Sequence, residues 1–384
     1  MRNAVKPTKQ AGRLAATSPL FVAVTIFGLT YGLSAPLIAL RLAQEGYSAL
    51  SIGLNAAMHA FGVVVIAPLL PALCRRYAPR SLMCTALLAV AALLVAFPLL
   101  PTASWFMLRM LTGMASEVIL VVSETWLNQT SDDNHRGRNL ALYTAMLSLG
   151  FALGPLLLSW CGSNATAFFL AALISLAAAA LLRGGRAPAF IRQETAGHHW
   201  RHWLALIPLV LLATVLNAAL ESAGMNLLAV YAISLGWGEA QATSLIAILL
   251  AGAILIQLPI GWLADRIDRR KLLVVLGLFS SVGALIWPMA LGAPWFARVL
   301  LFCWGGVFVG IYTVAIALVG ARFSGADLAG VYAVLSVGWG AGALVGPALG
   351  GMAMSLTPHG LPLMAALLCA LFTLYAWRAD PQRL

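Results

Sequence analysis

The stretch GWLADRIDRRKL, residues 261–272, gathers six charged side chains (Asp265, Arg266, Asp268, Arg269, Arg270, Lys271) into seven positions. Only 9% of the 384 residues carry charge, and the flanking runs Ala240–Ala264 and Leu272–Ala297 carry none. Each flank exceeds the roughly 20 apolar residues that cross a bilayer core. The knot of charge therefore reads as a tight turn between two membrane helices, held where hydrocarbon does not reach.

Composition extends that reading to the whole chain. Hydrophobic residues make up 62% of it, mean hydropathy is +0.94, and soluble domains average roughly 45–50% apolar. The Leu- and Ala-rich runs lack the ten-residue alternation of a membrane barrel, so the expected class is all-α and polytopic. A net charge of +11 suggests nucleic acid only until the charges are placed, and no nucleic-acid partner is expected. Cys74, Cys84, Cys161, Cys303 and Cys369 are scattered without metal spacing, so no metal and no cofactor are expected. The basic N-terminus (Arg2, Lys6, Lys9, Arg13) precedes an apolar run without an A-x-A site, which reads as an uncleaved first span.

Uncharged runs mark the remaining spans. Leu14–Leu40, Gly46–Cys74, Ser81–Leu100 and about Thr102–Leu127 give the first four. Asn139–Leu182 is uncharged for 44 residues, about 66 Å as one helix at 1.5 Å per residue. The bilayer core is about 30 Å thick, so this run folds at CGSN (161–164) into two spans. Beyond a polar connector, the second half reads Trp203–Leu235, Ala240–Ala264, Leu272–Leu291, Pro294–Ala321, and Leu328–Trp377 split at TPHG (357–360). That makes twelve spans. Twenty of the 23 Lys and Arg residues then fall on one side, which the positive-inside rule makes cytoplasmic, with both termini inside.

The halves echo each other. WFMLR (105–109) answers WFAR (295–298), YTAMLSLG (143–150) answers YAVLSVG (332–338), LGP (153–155) answers VGP (345–347), and CRRYAPRSL (74–82) answers ADRIDRRKL (264–272), at offsets of 188 to 192 residues. Two bundles, 1–182 and 204–384, joined by a cytoplasmic connector at 183–203, are expected. Six-plus-six repeats of this kind mark transporters with a substrate site between the halves.

At this point the chain resembles the major facilitator superfamily. GWLADRIDRRK resembles that family's loop signature G-x-L-a-D-r-x-g-r-r/k, with Asp268 in place of a glycine. The matching first-half loop PALCRRYAPR (71–80) has Pro71 for the Gly and Arg75 for the Asp. RMLTG (109–113) matches an R-x-x-x-G element, GFALGP (150–155) a G-x-x-x-G-P element without its following Gly pair, and GALVGPALGG (342–351) the full form. VVSETWLNQTSDDNHRGR with ALYTAM is similar to the YcaD-type subgroup of bacterial inner-membrane facilitators. The resemblance implies a secondary transporter of the inner membrane, working by alternating access as a monomer. It also implies a cytoplasmic gate loop (Gly261, Asp265, Arg266, Arg269, Arg270) that latches and releases as the halves rock, and a role for Arg109 in proton coupling. An anchor on anionic lipid heads, at about 1 kcal/mol per basic residue, is a compatible reading of the same loop.

Charges inside spans cost about 2.5–3.5 kcal/mol each, so they suggest function. Glu221 stands mid-span, with Asn217 and Met225 one turn away on each side. It reads either as a proton- or cation-binding carboxylate, in a charge-relay set with Glu117, Arg109 and Arg298, or as a structural partner of Arg298 or of a polar group on a neighbouring helix. Glu117 and Glu124, seven apart, share a helix face. Glu117 with Arg109 suggests a central charge relay, and Glu124 a gate contact at the cytoplasmic end. Asn55 and His59 share a face one turn apart, and Gln257 precedes Pro259; with Asn217 these are candidate cavity polars. Gly150, Gly154, Pro155, Gly342, Gly346 and Pro347 read as hinges and packing faces. No G-x-x-x-x-G-K-[ST] loop occurs, so an ion gradient, expected to be of protons, is the energy source. The expected partners are a small molecule, protons and lipid. The GP element leans toward export of an amphipathic compound; uptake of a nutrient or metal chelate is the alternative. A membrane enzyme or sensor is the rival class, for which the sequence offers no clustered catalytic set and no soluble domain.

Overall fold

The computed structural model describes residues 8–131, 136–183, 206–323 and 325–379. Among them are twelve helices long and apolar enough to cross a membrane: α1 (Pro19–Gln44), α2 (Ala49–Arg76), α3 (Pro79–Leu99), α4 (Thr102–Thr130), α5 (Arg138–Cys161), α6 (Ala165–Arg183), α7 (Pro208–Ser234), α8 (Glu239–Ala264), α9 (Arg269–Ala290), α10 (Pro294–Arg322), α11 (Gly330–Leu356) and α12 (Gly360–Arg378). The fold is all-α, and the spans agree with the uncharged runs to within a few residues. Connector residues 184–203, Arg2, Lys6 and Arg383 lie outside the described residues.

Local chemistry starts and stops the helices. Pro79, Pro208 and Pro294 occupy the first turn of α3, α7 and α10, where a missing N–H costs nothing. Ser48 caps α2 by accepting from Ser51 N at 3.2 Å. Asp268 caps α9 by accepting from Lys271 N at 2.9 Å.

The duplication is written in the backbone. Gly46 and Gly236, 190 residues apart, are both left-handed, with φ of 81° and 91°, a conformation glycine adopts freely. The aromatic that follows each one ties its turn to a neighbouring one. Tyr47 Oη donates to Thr102 Oγ1 at 3.0 Å, and Trp237 Nε1 donates to the Leu291 carbonyl at 2.9 Å. Both second helices also break at matching heights, α2 at the 3-10 turn Ala67–Leu69 and α8 at Ile256.

Lipid tails are as apolar as leucine, so helices associate in a bilayer through close packing rather than the hydrophobic effect. Glycines supply the contact. A Cβ on Gly154 would stand 2.4 Å from the Gly32 carbonyl carbon, and one on Gly346 2.2 Å from the Ala219 carbonyl oxygen. Thus α1 lies against α5, and α7 against α11, as equivalent pairs. Gly113 on α4 and Gly305 on α10 repeat the arrangement against α2 and α8. The packing role expected of Gly150, Gly154, Gly342 and Gly346 matches this geometry. Gly261 differs, since a Cβ there meets nothing within 4 Å.

Gly154→Val should destabilise the protein by about 1–3 kcal/mol, the usual cost of overpacking, lowering its thermal midpoint in detergent. Gly261→Ala should leave that midpoint unchanged.

Candidate functional site

The two halves meet along α2–α11, α5–α8 and α1–α7. At the end of the bundle away from the termini the seam is tight. A Cβ on Gly53 would lie 2.1 Å from the Pro347 oxygen, and one on Gly351 2.3 Å from that of Ala49. Leu50 N donates to Ser355 Oγ at 3.1 Å. A polar knot joins three turns: Gln44 Nε2 donates to Ser163 Oγ at 2.7 Å and to Glu239 Oε2 at 3.2 Å, while Ser163 N donates to Glu239 Oε1. Along α2 and α11 the contact continues through Ala60, Ala218 and Ala343, buried together at mid-height, as far as Val64 and Gly340. Beyond it, toward the termini, Leu69, Tyr332 and Val337 are exposed. The seam is closed at the far end by direct contacts, and toward the terminal end these side chains flanking it are exposed.

Arg109 is the largest fully buried side chain, only 2% exposed. Its Nη2 donates across the seam to Asn226 Oδ1 on α7 at 2.7 Å, and its Nε has no partner. No carboxylate among the described residues pairs with it. Beside it, Tyr31 on α1 packs on His59 of α2 with ring centroids 4.8 Å apart; both line one narrow cavity with Arg109, Thr30, Thr112 and Ser116. Tyr31 lies within electrostatic reach of both Arg109 and Glu221. Glu221 Oε2 accepts from Asn217 Nδ2 at 3.2 Å, and Asn217 Oδ1 is buried without a partner, as are Asn55 Nδ2 and His59 Nδ1.

A second tier lies nearer the termini. Glu117 and Glu124 are within reach of each other and of Tyr143, whose hydroxyl is 2.9 Å from Ser123 Oγ. Tyr312 on α10 faces this tier from the other half, within reach of Glu124 and Glu221.

Placement sorts the sequence candidates. His59 lines the same cavity as Arg109, Asn217 hydrogen-bonds Glu221, and Asn55 is buried on α2. Glu117 is two helical turns from Arg109, about 12 Å along the axis; the partner that Arg109 does have, Asn226, gives no sequence signal beyond being one more amide on a membrane helix. Arg298 stands apart from Glu221, in the first turn of α10, with its guanidinium 5.6 Å above the Trp295 ring. Gln257 is satisfied within its own half, donating to the Gly306 carbonyl at 3.2 Å and accepting from Thr313; it ties the break in α8 to α10 rather than facing the crevice. In the charged turn, Asp265 pairs with Arg269 at 3.7 Å, and Arg266 stacks 3.7 Å from the Trp262 ring centre. The cap of α9 is Asp268 rather than Asp265. Arg269 donates to the Ala317 carbonyl, and Arg270 to those of Ala376 and Trp377. These contacts brace α8, α9, α10 and α12 within one half.

Comparison with known proteins agrees with this architecture. The sequence profile of the Major Facilitator Superfamily matches residues 20–211 and 210–384. The chain belongs to that superfamily. It is similar to the uncharacterized MFS-type transporter YfkF of Bacillus subtilis, 27% identical over 72% of this chain and 74% of the relative. It is also similar to YcaD of Salmonella typhimurium, 26% identical over 65% of each chain, in keeping with the resemblance carried by residues 121–146. Among solved folds, a bacterial homologue of the human lysosomal transporter Spinster, inward-facing and occupied, superposes with a TM-score of 0.80 at 13% identity, covering 99% of both chains. The D-xylose-proton symporter gives 0.75 at 14% identity, covering 96% of this chain and 99% of its own. The protein is a multi-pass membrane protein with the transporter fold of this family.

Removing the amide opposite Arg109 should be costly, because hydrogen bonds to charged groups contribute about 1.5–3 kcal/mol. Asn226→Leu should lower the thermal midpoint in detergent, and Asn226→Asp, which gives the guanidinium a carboxylate, should restore it.

Proposed function

We propose that the protein is a secondary active transporter of the bacterial inner membrane that moves a small molecule by alternating access, driven by protons. The observation that carries this reading is the seam between the halves, closed by direct contacts at the far end and crossed within the membrane helices by the bond from buried Arg109 to Asn226. With the basic loops cytoplasmic, the terminal end faces the cytoplasm, and a substrate enters from there. Release outside needs the far-end contacts around Gly53, Pro347 and the Glu239 knot to part while the terminal end closes. The charged turn at 265–271, braced into the second half, moves with it as a unit and reaches the other half only when that end closes.

Coupling falls to Glu221. A carboxylate this far from bulk water is costly to keep charged unless it is protonated or paired, and its one hydrogen-bond donor is the neutral amide of Asn217. Glu117 and Glu124, nearer the terminal end, form the path by which protons reach the cytoplasm. Export follows if proton and substrate exchange at Glu221 in opposite directions. Uptake is the second reading, favoured by the likeness to the D-xylose-proton symporter.

Two experiments test this. Cysteines at Leu50 and Ser355, whose backbone and side chain already touch, should cross-link and stop flux in proteoliposomes, with reduction restoring it. Flux that continues through the cross-link would mean the far end does not need to open. Glu221→Gln should fold normally yet lose all response to a pH gradient; a normal response would move coupling to Glu117.

A further inference from the structure

The narrow cavity beside Arg109 has a volume of about 10 Å³, room for a single water-sized sphere. It lies wholly within the first half, walled by α1, α2, α3 and α4. Two side chains of its wall carry buried polar atoms without a partner, Arg109 Nε and His59 Nδ1. The Tyr31 and Ser116 hydroxyls, also in the wall, have no hydrogen bond among the described residues. Thr30, Ser34 and Thr112 differ, because their hydroxyls already donate to the carbonyls of Ile26, Tyr31 and Arg109. The hydrogens left to donate are therefore those of the guanidinium, of two hydroxyls and, in one tautomer, of His59 Nδ1.

Charge decides what such a set holds. A guanidinium stays protonated in a protein, Arg109 is only 2% exposed, and no carboxylate among the described residues pairs with it. The Asn226 amide answers one of its N–H groups and none of its charge. Burying a charge costs far more than burying a neutral donor. A water in the cavity would accept from Nε yet leave the cation uncompensated, whereas an anion does both. We propose that this cavity binds a monatomic anion, chloride in the cell, held by Arg109 Nε and the Tyr31 and Ser116 hydroxyls. Carboxylates, sulfate and phosphates all need more room than one water occupies, so size restricts the class. Phe27, Ile38, Val90 and Leu94 complete the wall, and apolar surroundings strengthen the attraction of the pair. The ion is a counter-charge for Arg109 rather than the cargo, so this assignment does not rest on the transporter reading.

The test is the thermal midpoint of the purified full-length protein in detergent, at fixed pH and ionic strength, as sodium gluconate is exchanged stepwise for sodium chloride. Gluconate is too large for the cavity. The midpoint should rise as chloride replaces it, because a ligand of the folded state stabilises that state by mass action. Tyr31→Phe keeps a ring against His59 and removes one donor. It should need about tenfold more chloride for the same rise, since hydrogen bonds to charged groups are among the stronger ones. Arg109→Gln should show no rise with chloride at all; where that variant does not fold, Tyr31→Phe decides. Equal midpoints of the unaltered protein in the two salts would leave the cavity to water and overturn the anion. So would a Tyr31→Phe protein that responds to chloride as the unaltered one does, or an Arg109→Gln protein that still responds.

Discussion

Hydrocarbon offers no partner to a backbone N–H or carbonyl, so each crossing of the bilayer in this chain must satisfy its own backbone as a helix. Twelve helices then have to be held together without water to drive them. The solution here is backbone contact at glycine, made in equivalent pairs in each half: α1 on α5 at Gly28, Gly32, Gly150 and Gly154 and α7 on α11 at Gly342 and Gly346, then α2 on α4 at Gly62 and Gly113 and α8 on α10 at Gly252 and Gly305. Each half becomes stiff because these contacts leave no room for a methyl group. Halves packed this way can move as bodies, which is the motion the proposed alternating access asks of the fold.

Against that apolar frame, the placement of charge is informative. Among the described residues, the arginines of the turn at 265–271 stack, brace or pair. Arg270, for example, reaches the last carbonyls of α12, and cations are favoured at a helix C-terminus. The few charges left inside the membrane gather near the seam, and two of them, Arg109 and Glu221, belong to different halves. Neither is ion-paired among the described residues: Arg109 bonds the amide of Asn226, and Glu221 the amide of Asn217.

How far the sequence discloses this depends on which physical signal is read. Span number, turns and duplication are legible because a bilayer sorts residues by hydropathy and because each uncharged run has one sensible length. The role of GWLADRIDRRKL as a turn is equally plain. Side-chain partnerships are not, since they depend on the rotation and tilt of helices that share no sequence neighbourhood. Arg109 and Arg298 follow the same Trp-Phe pair in the two halves, yet one is buried against Asn226 and the other sits over its own Trp295. Gln257 has the look of a cavity residue and is instead consumed by Thr313 and Gly306. Tyr31, lying in a long apolar run, gives no hint of its place beside His59 in the cavity it shares with Arg109.

The seam also has a mechanical logic. At mid-height the halves touch through Ala60, Ala218 and Ala343, small side chains that carry no polar bond and can slide with little loss. The specific bonds lie on one side of that point: Arg109 to Asn226, then Leu50 to Ser355, then the knot at Glu239. Rocking about the alanines leaves their contact nearly intact, while separation grows with distance from it, so the bonds farthest out must break outright. The Arg109–Asn226 bond, closer in, is the one whose loss is hardest to make good, because it leaves a guanidinium without a partner where water does not reach. A conformation open at the far end is therefore costly until water or a bound acceptor replaces Asn226. Among the described residues, Arg109 is the buried cation whose bond to the other half such an opening would have to break.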